Sequence, residues 1–288
     1  MQIIQYEYGE QKRKKKSMSN TTLLNKVYLD AIIDIDRVIK DSQVRSWRAL
    51  KARPDFNTSF RETQKILETS IGSKVNLVIL HIDIVGSTKM SLTLPIDRLT
   101  TIIGTFAQEM SLIISLYGGY VLKYIGDAVL AFFVVEDMPS SEDNIDIVDD
   151  NDSSVLQYSN VISCACTMIK VIEEGINPIL NQYDYPELKV RIGIDIGKVA
   201  VVQYGLDVEE INGVLFRKPH LDLIGYTLSI AVKMTSLANP NHIVIGQQLY
   251  NRLNNRQKLT FKEMHRNPDL WSFMNQATGG IYRLYGSL

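Results

Sequence analysis

Residues 118–133, GGYVLKYIGDAVLAFF, hold the pattern that decides the fold of this 288-residue chain. Two apolar runs, at 120–126 and 128–136, flank the turn at Gly126-Asp127, and such a pairing is typical of a β-hairpin. Asp127 therefore stands at the tip of the predicted hairpin. An aspartate in a glycine turn is usually structural, so this segment alone predicts a shape and no function.

Helices and strands alternate on both sides of this hairpin. The other predicted elements are a strand at 75–85, a helix at 97–118, a helix at 153–176, further strand at 189–205, a helix at 222–238 and a strand at 242–246. The apolar periodicity sets these assignments, and Gly118-Gly119 ends the first helix. We place a turn near Gly197. The order of the core elements, β-α-β-β-α-β, is that of the ferredoxin-like split βαβ arrangement, which predicts an α+β fold with a βαββαβ core and an extension.

The sequence predicts that residues 1–70 form an N-terminal region separate from this core. The domain that contains the core is predicted to cover residues 71–288. We predict that residues 1–20 are disordered and that residues 21–41 form a helix. Its apolar residues are spaced four and three apart, at Leu24, Tyr28, Ala31, Ile35 and Val38. Such a stripe packs along another helix, which could belong to a second copy or to the helix's own domain. The helix could also meet an upstream regulatory partner.

Composition excludes several classes of protein. The chain has 31 Lys+Arg, 32 Asp+Glu and a net charge of −1, which argues against binding to nucleic acid. The basic run at 12–16 and the acidic stretch at 136–152 are interpreted as solvated segments. The longest apolar run is too short to span a membrane, and the basic residues follow the first apolar ones, unlike a secretory signal. Two cysteines, Cys164 and Cys166, cannot bridge within one helix, so we expect a reduced, cytoplasmic protein.

Two aspartates suggest a metal site at one end of the sheet. Asp83 ends the apolar strand at 75–85 and precedes Gly86-Ser87-Thr88, a turn of small residues that leads into a helix. Backbone N–H groups in such a turn bind phosphate. If the first strand pairs beside the hairpin, Asp83 and Asp127 project from the same end and can share divalent cations.

Four segments in this order and spacing resemble the catalytic domain of class III adenylate and guanylate cyclases. They are LHIDIVGST at 80–88, GGYVLKYIGDAVLAFF at 118–133, VRIGIDIGKVAVVQYG at 190–205 and LDLIGYTLSIAVKMTSLANPNHIVIG at 221–246. The resemblance covers residues 74–285 and implies the class III nucleotidyl cyclase fold. It implies that Asp83, Asp127 and the backbone carbonyl of Ile84 bind two Mg²⁺ or Mn²⁺ ions. It also implies that Gly86, Ser87 and Thr88 hold phosphates.

The resemblance further makes Lys123 and Asp222 the residues that read the base. Lysine only donates and a carboxylate only accepts, which suits the N1 acceptor and the N6 amino group of adenine and leaves both groups unsatisfied against guanine. ATP is therefore the expected substrate, and cyclic AMP and pyrophosphate are the expected products. In the family the site forms between two protomers, which implies a homodimer in which one protomer supplies the aspartates and the other the base readers.

Two positions depart from the family pattern. Ser229 and Lys233 stand where the family has an asparagine that orients the ribose and an arginine that stabilises the transition state. Lysine keeps the charge but loses the planar fork. The alternative is therefore a weak or inactive nucleotide-binding sensor with the cyclase fold. A third possibility, a polymerase or diguanylate cyclase, is disfavoured because Gly126-Asp127-Ala128 carries only one carboxylate.

Overall fold

A computed structural model describes residues 33–52, 60–135, 153–265, 269–275 and 278–288. The helices are α1 (Ile35–Ala52), α2 (Arg61–Glu68), α3 (Ser87–Thr93), α4 (Ile96–Leu116), α5 (Ser153–Lys170), α6 (Asn177–Asn181), α7 (Tyr226–Thr235), α8 (Gln247–Arg252) and α9 (Asn255–Lys258). The strands are β1 (Lys74–Ile84), β2 (Tyr120–Ile125), β3 (Ala128–Val134), β4 (Val190–Ile211), β5 (Val214–Ile224), β6 (His242–Gly246), β7 (Phe261–Met264) and β8 (Leu284–Ser287). A π-helical segment at Val171–Ile176 continues α5.

The described strands form one mixed sheet in the order β2-β3-β1-β4-β6-β8-β7, with β5 paired to β4 outside this path. The predicted hairpin is confirmed: β2 and β3 pair as antiparallel strands, with Ile125 opposite Ala128. β1 lies between β3 and β4, antiparallel to both. The predicted βαββαβ order is therefore present, in the predicted α+β architecture.

Alternate residues of β1 supply two apolar clusters, one on each face of the sheet. Leu80 and Ile82 pack with α4 and α5 in the larger cluster, and Leu77 and Ile79 pack with α2 and β5 in the smaller one. This two-faced burial explains the continuous apolar run in the sequence, because a strand covered on both faces needs no polar alternation.

Helix α4 supplies much of the larger cluster. By length and composition it could also cross a membrane, and no other helix of the described ranges could. Its most apolar stretch is 61% buried against the rest of the protein. Phe106, Met110 and Ile114 are fully buried there. We therefore interpret α4 as a core helix.

The predicted turn near Gly197 is wrong. β4 continues without interruption to Ile211, and the chain reverses at Asn212-Gly213, where both residues have positive φ. Gly197 is instead required by packing, because a Cβ atom there would overlap the side-chain oxygen of Thr227 on α7. Gly193 has the same role one turn further along α7, against the backbone of Ala231. These glycines allow the helix to lie directly on the sheet.

The predicted start of the helix at 222–238 is also wrong. Residues 222–224 complete β5, where Asp222 pairs with Val202, and α7 begins only after Gly225. Leu221 and Leu223 are buried whereas Asp222 and Ile224 are less so, which is the alternation of a strand. The end of β5 and the start of α7 form one apolar pattern in the sequence, so the boundary between them was not predicted.

The N-terminal helix prediction is partly outside the described residues. Leu24, Tyr28 and Ala31 fall there, and the described helix α1 runs to Ala52, well beyond the predicted end at residue 41. Ile35 and Val38 pack on the larger core cluster, so this part of the stripe lies on the helix's own chain. Arg45 of α1 forms an ion pair with the buried Glu109 of α4 at 2.7 Å. The division into regions 1–70 and 71–288 stays a prediction.

Candidate active site

Asp83 lies at the end of β1, directly opposite Arg191 on β4. The guanidinium of Arg191 donates from Nε to Oδ1 at 3.2 Å and from Nη2 to Oδ2 at 3.0 Å. Burial raises the pKa of the Asp83 carboxyl, Arg191 opposes that rise, and the negative charge of Asp127 adds to it. Asp83 is thus half-buried and held in one orientation by a neighbouring strand.

Asp127 lies in the turn of the β2-β3 hairpin and is half-buried. Its charge acts on two residues of β1, because it raises the pKa of both Asp83 and His81. His81 is buried, which lowers its pKa to about 4 despite Asp127, and its Nδ1 lies 3.0 Å from the hydroxyl of Thr235 on α7. The structure therefore brings Asp83 and Asp127 to the same end of the sheet.

The turn between β1 and α3 follows Asp83. Ile84, the last residue of β1, is buried. Gly86 has a φ of 74°, a left-handed conformation that favours glycine, and Ser87 and Thr88 then open the seven-residue helix α3. The predicted phosphate residues therefore follow Asp83 closely along the chain.

Lys123 of β2 and Asp222 of β5 meet in an ion pair between Nζ and Oδ2. The other carboxylate oxygen of Asp222 accepts a hydrogen bond from the backbone N–H of Leu223 at 2.8 Å. The two side chains are 38% and 17% exposed, so the pair is fixed on the protein side and open on the other. A donor and an acceptor are thus presented side by side, as reading a base edge requires.

Ser229 and Lys233 lie four residues apart on α7 and are both exposed. Residues at this spacing share one face of a helix. The hydroxyl of Ser229 is 3.3 Å from the carbonyl of Gly225, the residue just before the helix. Both side chains therefore face away from the core, on the side of α7 opposite the glycines of β4.

The donors present fit a pair of hard divalent cations. The described residues contain no group of three or more His, Cys, Asp or Glu side chains that could hold a metal ion. Mg²⁺ is usually bound through one or two carboxylates, with water and substrate phosphates completing its shell. Asp83 and Asp127 supply such oxygens, so the site suits a metal that arrives with a nucleotide.

Arg191 is the residue that sequence reasoning missed. It follows a lysine and a valine at the start of an apolar strand, where a single arginine is usually a solvated edge residue. Only the register of β1 against β4 reveals its partner. The sequence did contain a signal. Asp83 stands near the end of one predicted strand and Arg191 near the start of another, and these two ends adjoin when the strands are antiparallel.

Comparison with known proteins identifies the family. Residues 70–268 match the adenylate and guanylate cyclase catalytic domain. Among curated proteins, a cytidylate cyclase from Staphylococcus aureus is 30% identical over 65% of this chain and 40% of its own length. A cytidylate cyclase from Escherichia coli is 28% identical over 67% of this chain and 39% of its own length. This chain thus spans about two fifths of these relatives.

Solved structures show the same fold. The crystal structure of the adenylyl cyclase CyaB from P. aeruginosa has a TM-score of 0.52, 18% identity, and covers 75% of this chain and 95% of its own. A guanylyl cyclase crystal structure also has a TM-score of 0.52, with 14% identity over 75% of this chain and 93% of its own. At these identities the likeness concerns architecture alone.

Proposed function

Because this chain belongs to the adenylate and guanylate cyclase catalytic domain family, we propose that it cyclises a nucleoside triphosphate whose base presents an amino group beside an unprotonated ring nitrogen. On the Watson–Crick edge of the base, ATP and CTP are the common nucleotides with this pattern. The ion pair between Lys123 and Asp222 carries the proposal, since it places one donor next to one acceptor. The products are a 3′,5′-cyclic nucleotide and pyrophosphate.

Base recognition follows from the inventory of hydrogen-bonding groups. Lys123 donates to N1 of adenine or N3 of cytosine, and Asp222 accepts from the N6 or N4 amino group. Guanine and uracil present an N–H and a carbonyl oxygen at these places. Each would set an N–H against the Lys123 ammonium and a carbonyl oxygen against the Asp222 carboxylate, so neither protein group would bond to the base, at a cost of about 1–3 kcal/mol per group. The sequence predicts ATP as the substrate. The curated relatives are named cytidylate cyclases, which favours CTP, and the geometry of Lys123 and Asp222 suits both nucleotides equally.

The reaction is an in-line displacement at the α-phosphate. The ribose 3′-oxygen bonds to the α-phosphorus, the bond to the bridging oxygen breaks, pyrophosphate leaves with its electrons, and the hydroxyl proton passes to solvent. Asp83, Asp127 and the carbonyl of Ile84 would hold two Mg²⁺ or Mn²⁺ ions. Such ions lower the pKa of the hydroxyl and neutralise the triphosphate. Gly86, Ser87 and Thr88 would donate to phosphate oxygens.

The chain's own residues supply orientation and charge around that centre. Arg191 holds the Asp83 carboxylate by two hydrogen bonds, so this ligand is oriented before the nucleotide arrives. Lys233 would place a positive charge near the α-phosphate, and Ser229 would orient the ribose by one hydrogen bond. The two residues share one exposed face of α7, as joint contact with a nucleotide requires.

We further propose that the site is shared between two copies of the chain. One protomer supplies Asp83 and Asp127, and its partner supplies the Lys123–Asp222 pair and the exposed face of α7. A C₂ dimer then contains two equivalent sites.

A nucleotide panel tests the proposed function. Purified protein is incubated with ATP, CTP, GTP or UTP and Mg²⁺ or Mn²⁺, and the products are identified by mass spectrometry. We expect cyclic AMP or cyclic CMP to exceed cyclic GMP and cyclic UMP by tenfold or more. A preference for GTP or UTP would contradict the assignment of Lys123 and Asp222. Binding of ATP or CTP without any product would instead favour the nucleotide-binding sensor, which the departures at Ser229 and Lys233 make the second candidate.

A further inference from the structure

Helix α2 lies against the two strands that carry the base-reading residues. Its Thr63 hydroxyl donates to the backbone carbonyl of Val121 at 2.9 Å, two residues before Lys123. Its Gln64 amide contacts the backbone of Leu221, the residue before Asp222. Helix α2 is thus hydrogen-bonded to the backbone of β2 near Lys123 and to the backbone of β5 next to Asp222.

Gln64 acts on β5 as a neighbouring strand would. Its Nε2 donates to the carbonyl of Leu221 at 3.1 Å, and its Oε1 accepts from the N–H of Leu221 at 3.1 Å. Both backbone groups of Leu221 point away from β4, since the N–H and the carbonyl of a strand residue lie on one side. One side chain therefore pairs both backbone groups of Leu221, the residue next to Asp222.

Among the described strands, β2 and β5 are not neighbours: β2 lies at one end of the strand order, and β5 pairs with β4 outside that order. The relative position of their side chains is therefore not fixed by a shared ladder. Leu67 of α2 is buried in the same apolar cluster as Leu122, Leu221 and Leu223, which are the immediate neighbours of Lys123 and Asp222. Packing and hydrogen bonds from one helix thus hold the two strands together.

We infer that α2 is part of the base-reading site, with Gln64 and Thr63 as positioning residues for Asp222 and Lys123. This inference rests on the proposed function. It extends the site to a helix at residues 61–68, which precede the region that matches the family, at 70–268. Movement of α2, for instance by a signal acting on the N-terminal region, would change nucleotide affinity and base preference without touching the metal residues.

The test measures binding of 3′-deoxy-ATP and 3′-deoxy-CTP, which cannot cyclise, by calorimetry, together with thermal unfolding. Gln64→Ala removes both bonds to Leu221. Thr63→Val removes the bond to Val121 with little change of shape, and Thr63→Ser restores a hydroxyl. Gln43→Ala is the matched control, because the Gln43 amide also bonds a backbone carbonyl, that of Glu174, in contacts between α1 and the π-helical segment.

We expect Gln64→Ala to raise the Kd of the preferred nucleotide about tenfold and to reduce its preference over 3′-deoxy-GTP by a similar factor. Thr63→Val should show a smaller change in the same direction, and Thr63→Ser should restore wild-type affinity. Gln43→Ala should leave Kd within about twofold, even if it lowers the melting temperature as much.

Two outcomes would overturn the inference. If Gln64→Ala and Thr63→Val bind nucleotide with the Kd and base preference of Gln43→Ala, then α2 is only structural, and the proposed function is unaffected. If Gln64→Ala does not fold, the comparison of Thr63→Val with Thr63→Ser decides alone. If the wild-type chain binds neither 3′-deoxy-ATP nor 3′-deoxy-CTP, the proposed function fails and this inference fails with it.

Discussion

Arg191 and Asp83 lie opposite each other on β4 and β1, and the guanidinium holds both oxygens of the carboxylate. A carboxylate has about four lone-pair sites, so this pairing leaves one free on each oxygen. Asp83 can therefore keep its arginine and still bind a cation. The positive charge of Arg191 then orients the ligand and at the same time repels the ion.

Removing that charge should strengthen metal binding and weaken catalysis. In Arg191→Gln we expect Mn²⁺ affinity, measured by electron paramagnetic resonance of the free ion, to rise about tenfold, because one unit charge near a divalent cation is lost. The value of kcat should fall, since Asp83 is no longer held by a rigid fork. Arg191→Lys keeps the charge and should keep wild-type Mn²⁺ affinity. Weaker Mn²⁺ binding in Arg191→Gln would show that orientation outweighs repulsion.

The proposed sharing of the site between two protomers predicts complementation between inactive variants. Asp83→Asn and Asp222→Ala should each lower product formation by about 10³-fold or more, the first by removing a metal ligand and the second by removing a base reader. When the two variants are refolded together, each heterodimer should contain one intact site, and part of the activity should be recovered. Asp97→Asn, an exposed change in the first turn of α4, is the control for each single variant. No recovery from heterodimers demonstrated by mass spectrometry would rule out a site between two protomers.

Reversing the hydrogen-bonding inventory should reverse the base preference. In Lys123→Glu with Asp222→Cys, the glutamate accepts from the ring N–H of guanine or uracil, and the carboxylate that required an amino group is gone. We expect the ratio of kcat/KM for GTP over that for the preferred nucleotide to rise at least tenfold. Lys123→Glu alone places two carboxylates together and should lose activity with every base. A double variant with unchanged preference would show that other residues read the base.

The sequence predicted the elements that carry strong apolar patterns, because β1, the β2-β3 hairpin and α4 are each buried on faces that local periodicity records. It failed where packing between distant elements decides. Gly197 resembles a turn residue, yet its lack of a side chain serves the approach of Thr227. In the sequence, nothing distinguishes Arg191 and Gln64 from polar residues on the surface. Only the strand register and the position of α2 show their partners. Sequence alone therefore singled out Asp83, Asp127, Lys123 and Asp222, but not the residues that hold them.

Asp195 should make stability depend on pH. It is buried under α7, accepts a hydrogen bond from the Tyr282 hydroxyl at 2.8 Å, and burial raises its pKa to about 7 although that bond opposes the rise. The folded chain then keeps the proton from about pH 4 to pH 7 while the unfolded chain loses it. This residue therefore lowers the free energy of unfolding by about 1.4 kcal/mol per pH unit across that window, and its cost is complete above pH 7.

Asp195→Asn should remove this slope, because the amide does not titrate and can still accept from Tyr282. Urea unfolding at several pH values should show the variant gaining stability relative to the wild type as pH rises from 4 to 7, with a constant difference above pH 7. Glu210→Gln, an exposed change on β4, is the control and should follow the wild type. A difference between Asp195→Asn and the wild type that does not vary with pH would show that Asp195 stays ionised in the folded protein.

The last prediction concerns Ser229 and Lys233, which decide between a slow cyclase and a silent nucleotide-binding protein. Lys233 offers a point charge to the α-phosphate, whereas an arginine would make two parallel hydrogen bonds to its equatorial oxygens as charge develops. Losing one well-placed transition-state donor costs about 3–4 kcal/mol, and the retained charge recovers part of it. We therefore expect a cyclase slowed by about tenfold to a hundredfold.

Restoring the two side chains tests this. Both are exposed on one face of α7, and the Ser229 hydroxyl contacts the carbonyl of Gly225 at 3.3 Å, so longer side chains at these positions point away from the core. Lys233→Arg, alone and with Ser229→Asn, should raise kcat with little change in KM, because the added contacts form mainly in the transition state. Lys262→Arg, an exposed change of the same type on β7, should leave kcat unchanged. If both variants bind nucleotide and neither forms product, the chain acts by binding alone.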